Sequence, residues 1–353
     1  MRLLVTGGAG FIGGHVVEAA LAQGWQVRIL DSLSPQVHTQ KPSVPDGVEL
    51  VQGSVTDPDA VAQALQGVDL VSHQAAKVGL GVSFADAPDY VEQNIHGTTV
   101  LLAGLAQHHI RGLVLASSMV VYGEGLYRTA AGRAVRPAAR NEADLAAGIF
   151  DPRDPDTGEL LHPGLLDEDA MVDPRNVYAT SKLSQELLSS HWARECGGRV
   201  IALRYHNVYG ARMPKNTPYA GVCSIFRSAL ERDAAPRVFE DGQQRRSFVE
   251  VRDVAAANLA ALQSLAQDEP CQQRPSFRAY NVGSTEVRTV GEVAQALSAA
   301  LGGPAPVITG EYRLGDVRHV TASSERIHRE LGWTPHYGFV EGMRNFALAP
   351  LRD

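Results

Sequence analysis

Short apolar strands alternate with helical segments through the first two hundred residues, and this alternation constrains the fold more than any other feature of the sequence. Six strands are predicted, at residues 3–6, 26–30, 49–52, 70–73, 113–117 and 200–204. Between them lie segments such as 12–23 and 89–107, whose apolar residues recur every three or four positions, as in an amphipathic helix. Such alternation predicts an α/β fold with a doubly wound parallel sheet. A return to the sheet is predicted at 279–282.

The first predicted strand is followed directly by a glycine-rich segment, GGAGFIG, at residues 7–13. Glycines let the backbone approach a pyrophosphate, and the helix that follows presents free N–H groups and the positive end of its dipole to it. Asp31 ends the second strand, where a carboxylate can accept hydrogen bonds from both hydroxyls of a ribose and repels a 2'-phosphate. The glycine spacing alone is a weak signal. Its strand–loop–helix context predicts a Rossmann-type dinucleotide site that prefers NAD to NADP.

Tyr178 and Lys182 stand four positions apart in the helical segment NVYATSKLSQE, so both side chains occupy one face. To act as a general base near pH 7, a phenol must lose roughly 3 units from its usual pKa. A nearby ammonium and an oxidised nicotinamide, both cationic, can supply that shift. The pair therefore predicts a base at Tyr178, and the alternative is a cation–aromatic contact on the surface.

Ser118 follows the fifth predicted strand, and ligands bind at this edge of open α/β sheets. Its hydroxyl could hydrogen-bond the reacting oxygen beside Tyr178. The alternative is a serine that only caps the local backbone.

The sequence divides into a larger and a smaller part. Residues 1–206 are predicted to form an NAD-binding Rossmann domain, with a sheet completed by residues from 247–283. Residues 207–246 and 284–353 are predicted to form a smaller substrate-binding α/β domain. An insertion at 124–173, rich in Asp, Pro, Gly and Arg, is too long for an ordinary connection. We hypothesise that it is a lid over the substrate.

Charge and composition exclude several classes of partner. The formal net charge of −7 argues against nucleic acid, because binding a phosphate backbone needs clustered positive charge. No apolar run approaches the roughly 20 residues that span a bilayer. The first residues, MRLLVTGG, enter a strand without the features of a signal peptide. The three cysteines lack metal-ligand spacing. We therefore predict a cytoplasmic protein without a metal site, a membrane segment or a nucleic-acid partner.

The motifs together resemble those of the extended short-chain dehydrogenase/reductase family, in its branch of NAD-dependent sugar-nucleotide epimerases and dehydratases. The resemblance runs nearly end to end, and its closest subgroup is that of the dTDP-L-rhamnose 4-epimerases. The segments that carry it are GGAGFIG (7–13), HQAA (73–76), SSMVVYG (117–123), YATSK (178–182), RYHNVYG (204–210), NTPYAGV (216–222), FEDGQQRRSFVEVRDV (239–254), NVGS (281–284) and YRLGDVRHV (312–320).

The resemblance implies a role for each matching residue. The catalytic residues would be Ser118, Tyr178 and Lys182. The residues around NAD would be Gly7, Gly10, Phe11, Ile12, Gly13, Asp31, Ser54, Val55, Ala75, Ala76, Asn94, Tyr178, Lys182 and Tyr205. The residues around the nucleotide sugar would be Val78, Ser118, Met119, Asn207, Val222, Arg246, Arg313 and Asp316. The resemblance also implies a homodimer, in which the helices that begin near residues 89 and 178 pair into a four-helix bundle.

Departures from the family pattern narrow the activity. Met119 and Val120 stand where dehydratases carry an Asp-Glu pair, and neither side chain can move a proton. Ser54 stands where many relatives have an aspartate that contacts adenine, and Ser247 replaces an aspartate of the R-D-F-V motif. We interpret the chain as an NAD-dependent 4-epimerase of a nucleotide-diphosphate sugar, with a dTDP-6-deoxyhexose favoured. A net oxidoreductase of the same family and a catalytically silent NAD-binding sensor remain alternatives.

Overall fold

The computed structural model describes residues 1–38, 40, 42–79, 84–215, 221–267 and 276–352. The strands in these ranges are β1 (Arg2–Thr6), β2 (Gln26–Asp31), β3 (Glu49–Gln52), β4 (Leu70–His73), β5 (Gly112–Ser118), β6 (Tyr127–Arg128), β7 (Ala134–Val135), β8 (His162–Pro163), β9 (Arg199–Tyr205), β10 (Asn207–Tyr209), β11 (Arg237–Val238), β12 (Arg245–Glu250), β13 (Phe277–Val282), β14 (Val287–Thr289) and β15 (Val307–Ile308). The helices are α1 (Phe11–Ala22), α2 (Pro58–Leu65), α3 (Ala87–Tyr90), α4 (Gly97–Gln107), α5 (Glu142–Ala146), α6 (Val177–Cys196), α7 (Val222–Leu230), α8 (Val251–Ala266), α9 (Val290–Leu301), α10 (Glu325–Leu331) and α11 (Phe339–Leu348).

Seven parallel strands form the main sheet, in the order β13-β9-β5-β4-β1-β2-β3. The six predicted strands are all present, with ends within one residue of those expected, and β13 is the predicted return to the sheet. The strand order reverses between β1 and β4, which leaves a crevice at their carboxyl ends where open α/β sheets bind ligands. The prediction of a doubly wound Rossmann-type sheet is confirmed.

The sheet is buried on both faces because successive side chains of a strand point to opposite sides. Leu3 and Val5 of β1 pack with α1 and α8 on one face. Leu4, between them, packs with α2, α4 and α6 on the other face. Helices on both faces of a parallel sheet account for the nearly continuous apolar runs of these strands.

The single helix predicted at 89–107 is interrupted, so this prediction was only partly correct. The chain runs from α3 through a wider, π-type turn at Val91–His96 into α4. Such turns frequently lie at functional sites. This one carries Asn94, whose side chain is fully buried.

The predicted completion of the sheet by residues 247–283 holds only at its end, in β13. Strand β12, which begins at Arg245, pairs instead with β10 and β14 in a separate three-stranded sheet. Helix α8 follows and packs on the main sheet. A further apolar cluster joins α7, α9 and α11 to the three-stranded sheet.

The insertion at 124–173 is docked on the chain near residue 318. It forms a small antiparallel sheet, β7-β6-β8, and the short helix α5. The Glu124 carboxylate accepts hydrogen bonds from the backbone N–H groups of Arg318 and His319 at 3.0 and 3.1 Å. The Arg318 side chain is 0% exposed and forms ion pairs with Asp151 and Glu240, each at 2.7 Å. Buried charges are stable only when paired in this way, so the insertion is firmly attached at this point.

None of the helices in the described ranges has the length and apolarity needed to cross a membrane. The cytoplasmic location stays a prediction from the sequence.

Candidate functional site

The loop between β1 and α1 has the backbone that a pyrophosphate requires. Gly7 has a φ of +67°, and a Cβ there would lie 2.7 Å from the Ala75 nitrogen. A Cβ on Gly13 would lie only 2.1 Å from the Gly7 oxygen. Helix α1 begins at Phe11, and its N-cap residue, Gly10, supplies no side-chain hydrogen bond. The first N–H groups of a 12-residue helix are therefore free to bind an anion, and the loop fits the phosphates of a dinucleotide.

Asp31 lies beside this loop at the end of β2, as predicted. Its carboxylate accepts hydrogen bonds from the backbone N–H groups of Ala9 at 3.1 Å and Leu33 at 3.0 Å. These bonds fix the carboxylate at the edge of the crevice, where it can accept ribose hydroxyls. The Ser54 side chain forms a hydrogen bond within its own loop, where its hydroxyl lies 2.8 Å from the Thr56 hydroxyl. Val55, which follows, is buried.

The predicted cofactor residues Asn94 and Tyr205 have their polar groups bound to the protein. The Asn94 amide donates to the Ser181 hydroxyl at 2.8 Å, and its oxygen accepts from the Lys77 N–H at 2.7 Å. The Tyr205 hydroxyl accepts from the Asn258 amide at 2.8 Å. Asn94 thus holds the segment after β4, which includes Ala75 and Ala76, against α6.

His73, the last residue of β4, anchors the start of the segment that follows this strand. Its Nδ1 lies 2.7 Å from the Thr6 hydroxyl, and its Nε2 lies 3.0 Å from the Thr98 hydroxyl. Burial and, to a smaller extent, the charge of Lys182 together lower the pKa of His73 to about 3. The ring is therefore neutral in the folded protein at every pH at which an enzyme normally works.

This burial predicts a contribution to acid sensitivity. An unfolded histidine titrates near pH 6.5, so below that pH the unfolded state binds a proton that folded His73 binds only near pH 3. The free energy of unfolding should therefore decrease as the pH decreases below 6.5, and His73 should contribute up to about 1.4 kcal/mol per pH unit to this decrease. Urea unfolding of the wild type and of His73→Gln between pH 7 and 4.5 would measure it. The variant should show the shallower slope, and His191→Gln on the exposed face of α6 should keep the wild-type slope. Equal slopes for all three proteins would contradict the assignment.

The three predicted catalytic residues come together at the carboxyl end of β5. Ser118 is the last residue of that strand, and Tyr178 lies in the first turn of α6. Asn176 begins this helix by accepting a hydrogen bond from the Ala179 N–H at 2.8 Å. The Lys182 ammonium, which is 4% exposed, donates to the Ala116 carbonyl at 2.8 Å. The residues needed for proton transfer from an alcohol are thus adjacent.

The pKa of the Tyr178 phenol departs from the sequence-based expectation. Burial raises it to about 12, a side-chain hydrogen bond with Ser118 opposes this rise, and the neighbouring Tyr90 adds to it. Burial also lowers the pKa of Lys182 to about 7, which the Glu186 carboxylate opposes. Desolvation therefore dominates in the protein alone, and the Ser118 hydroxyl, not Lys182, is the group that opposes it. Cationic nicotinamide, when bound, adds a positive charge that favours the phenolate.

A buried ion pair behind Lys182 was not predicted. Arg204 forms two hydrogen bonds with the Glu186 carboxylate, at 2.9 and 2.8 Å. The same carboxylate accepts a hydrogen bond from the Ser117 hydroxyl. Glu186 follows Lys182 by four positions on α6, so the spacing that identified Tyr178 and Lys182 could also have identified it.

The predicted substrate residues lie on several elements around the crevice. The Asn207 amide of β10 lies 3.5 Å from the Met119 sulfur, which brings these two residues together. Val222 opens α7, and Val78 is half exposed on the segment after β4. Residues 216–220 of the NTPYAGV motif lie outside the described residues.

Arg246 is the predicted phosphate ligand with the clearest geometry. Its guanidinium donates to the backbone carbonyls of Arg245, Val317 and Arg318, each at 2.8 Å. In the described part of the chain no carboxylate lies within ion-pair distance of it. A partly buried guanidinium without a counter-ion is suited to a phosphate.

Arg313 and Asp316 lie on the segment that follows β15. The Arg313 guanidinium is 5.0 Å from the centre of the Phe239 ring and is exposed. Burial raises the pKa of the Asp316 carboxyl, and the charges of Arg313 and Arg246 oppose that rise. Both arginines are therefore close enough to Asp316 for their charges to stabilise its carboxylate.

Known proteins are similar to this chain in sequence and in fold. The dTDP-L-rhamnose 4-epimerase of Burkholderia thailandensis is 32% identical over 97% of this chain and 93% of its own. The UDP-glucose 4-epimerase of Halalkalibacterium halodurans is 29% identical over 97% and 93%. The crystal structure of Thermus thermophilus UDP-glucose 4-epimerase in complex with NAD matches with a TM-score of 0.76, 30% identity and 98% coverage of both chains.

The family assignment follows from these matches. The sequence profile described as "NAD dependent epimerase/dehydratase family" matches residues 3–143 and 155–283, which is more than half of the chain. The prediction that the chain is an enzyme with NAD as its cofactor is confirmed, and the geometry of the loop after β1 agrees with it. The chain belongs to the NAD dependent epimerase/dehydratase family.

Proposed function

We propose that this enzyme inverts C4 of a nucleotide-diphosphate sugar through a transient 4-keto intermediate, with Tyr178 as the base. The observation that carries the proposal is the meeting of Ser118 and Tyr178 at the end of β5, with Lys182 on the next turn of α6. Proton removal from an alcohol needs a base within hydrogen-bond reach of it. In this proposal that base is Tyr178.

Each catalytic residue has a distinct task. The Tyr178 oxygen takes the proton of the sugar 4-hydroxyl and returns it when the opposite epimer forms. The Ser118 hydroxyl forms a hydrogen bond with the Tyr178 oxygen and so holds it in place. The Lys182 ammonium, which donates to the Ala116 carbonyl, supplies positive charge. NAD, when bound, would supply a reversible acceptor for the C4 hydride, so the reaction would consume no cofactor.

The favoured substrate is a thymidine-diphosphate 6-deoxyhexose. The relative from Burkholderia thailandensis, at 32% identity, acts on dTDP-L-rhamnose by its name, whereas the relative from Halalkalibacterium halodurans, at 29%, is a UDP-glucose 4-epimerase. Met119 next to Asn207 gives the sugar side an apolar contact, which suits a sugar that carries a methyl group at C5. Arg246 and Arg313 both act electrostatically on Asp316, which supports the assignment of these residues to the nucleotide diphosphate.

A substrate panel tests this proposal. The purified protein, without added cofactor, is incubated with thymidine, uridine and guanosine sugar nucleotides, and the C4 epimers are resolved by NMR. We expect the fastest conversion with a thymidine-linked 6-deoxyhexose. Fastest conversion of UDP-glucose would replace the proposed sugar but keep the reaction. No epimer from any sugar, with NADH formed in proportion to the sugar added to NAD, would replace the epimerase by a net oxidoreductase.

We also propose a homodimer formed by the α3–α4 region and α6. Val91 and Leu187, on these two segments, are 48% and 55% exposed. Exposed apolar side chains on long helices favour association. Light scattering at micromolar concentration should give twice the mass of 37.8 kDa, and a monomeric mass would contradict the proposal.

The insertion at 124–173 and the parts at 207–246 and 284–353 are proposed to bind the sugar nucleotide together. Arg140 of the insertion forms an ion pair with Glu240 and donates to the Asp316 carbonyl, both at 2.6 Å. The insertion thus reaches the proposed nucleotide site. Deleting it should weaken substrate affinity, and unchanged affinity and turnover would remove the idea of a lid.

A further inference from the structure

Arg352 lies beside the phosphate loop although it is far from it in sequence. Its Nη1 donates to the Ala9 carbonyl at 3.2 Å. Main-chain bonds fix its position, because its N–H donates to the Met213 carbonyl at 3.1 Å and its carbonyl accepts from the Lys215 N–H at 2.9 Å. The Arg212 N–H also donates to the Pro350 carbonyl at 2.8 Å. The side chain is therefore held at the loop by backbone pairing and not by its own charge.

Arg352 forms no ion pair in the part of the chain that the structure describes. Among those residues no carboxylate lies within ion-pair distance of its guanidinium, and its Nε is buried without a hydrogen-bond partner. Neighbouring Arg212 differs, because it forms a bidentate pair with Glu18 that includes a bond of 2.8 Å. A partly buried guanidinium without an anion is costly, and a phosphate is the anion that this loop is built to receive.

Burial lowers the pKa of the Arg352 guanidinium, and the charge of Asp31 opposes this although the two side chains form no ion pair. The Asp31 carboxylate accepts from the Ala9 N–H, so Ala9 bonds to Asp31 through its nitrogen and to Arg352 through its oxygen. Asp31 also has His38 Nε2 at 3.7 Å from one oxygen. Arg352 thus stands at the same end of the crevice as Asp31, which is the adenosine end.

We propose that Arg352 binds a phosphate group of the dinucleotide at the adenosine end of the cofactor site. Guanidinium donors match phosphate oxygens, and bonds between two charged groups are about twice as strong as neutral ones. Two phosphates could occupy this place, the pyrophosphate that NAD and NADP share and the 2'-phosphate of NADP alone. The proposal concerns the cofactor and does not depend on the identity of the sugar.

The test compares Arg352→Gln and Arg352→Lys with the wild-type full chain in their affinities for NAD, NADP and adenosine. If Arg352 binds the pyrophosphate, Arg352→Gln should lower the affinities for NAD and NADP by about tenfold or more. The affinity for adenosine, which has no phosphate, should be unchanged. Arg352→Lys should recover part of the loss because it keeps the charge. Loss of NADP affinity alone would identify the 2'-phosphate as the bound group.

The matched control is Arg344→Gln, an exposed arginine on α11, which should bind all three ligands as the wild type does. Unchanged affinity of Arg352→Gln for NAD and NADP would overturn the proposal. Equal losses for NAD, NADP and adenosine would also overturn it, because they indicate a structural role for Arg352. Should Arg352→Gln not fold, Arg352→Met, which also removes the charge, takes its place: wild-type affinity ratios of NAD and of NADP to adenosine would overturn the proposal, and a lowered ratio for either would support it.

Discussion

Replacement of Tyr178 by phenylalanine is expected to lower kcat by about three orders of magnitude, the effect of removing a positioned general base. NAD binding should remain, because the change removes one hydroxyl and keeps the ring. The ring packs on Tyr90 with centroids 5.9 Å apart, so the fold of the site should also remain. Turnover under saturating substrate and the amount of bound NAD are the two measurements.

Tyr90→Phe is the matched control for this prediction. In the wild type the Tyr90 ring lies beside that of Tyr178, but its hydroxyl donates to the Gly79 carbonyl at 2.9 Å and is not available as a base. We expect its turnover to stay within about tenfold of the wild type, since one neutral hydrogen bond contributes about 1 kcal/mol. A Tyr178→Phe protein that turns over as fast as the Tyr90→Phe protein would show that the base is another group.

Replacement of Gly13 by alanine is expected to destroy the cofactor site. The new Cβ would lie 2.1 Å from the Gly7 oxygen, and the backbone of both residues would have to move apart. Overpacking of this kind costs about 1–3 kcal/mol or more, and here the displaced atoms belong to the phosphate loop. We expect a lower melting temperature and loss of bound NAD, measured by thermal unfolding and by assay of the released cofactor.

Gly14→Ala, one position further along α1, separates this steric effect from the loss of a glycine in general. Its Cβ would have no atom closer than 3.7 Å. Alanine favours the helix over glycine by up to about 1 kcal/mol, so this protein should bind NAD and unfold at the same or a higher temperature. Loss of NAD from both variants, or from neither, would contradict the role given to Gly13.

Local patterns predicted the main sheet, the phosphate loop and the catalytic pair on α6. The six strands could be found because each is an apolar run between turn residues, and the loop at 7–13 and the pair Tyr178 and Lys182 have short, fixed spacings. The pairing of β12 with β10 and β14 could not be predicted, because a short apolar strand does not reveal which sheet it joins.

Contacts between residues far apart along the chain could not be predicted from the sequence either. The partners of Arg318 in its ion pairs, Asp151 and Glu240, lie 167 and 78 residues away along the chain. Arg352 lies 343 residues from Ala9. A charged residue has the same appearance in a sequence whether it is solvated or buried, so only the fold shows which charges are paired. The burial that raises the pKa of Tyr178 could not be predicted for a related reason, since burial is a property of the packed structure.

The central claim is that Tyr178 and NAD carry out a closed cycle at C4 of a sugar. The most direct test is ¹H NMR of the purified enzyme with dTDP-L-rhamnose in D2O, with no cofactor added and absorbance followed at about 340 nm, where NADH absorbs. We predict that the C4 epimer forms, that its C4 carries hydrogen from the substrate and not deuterium, and that no NADH accumulates. Deuterium at C4, or NADH formed in proportion to the sugar consumed when NAD is supplied, would contradict the account.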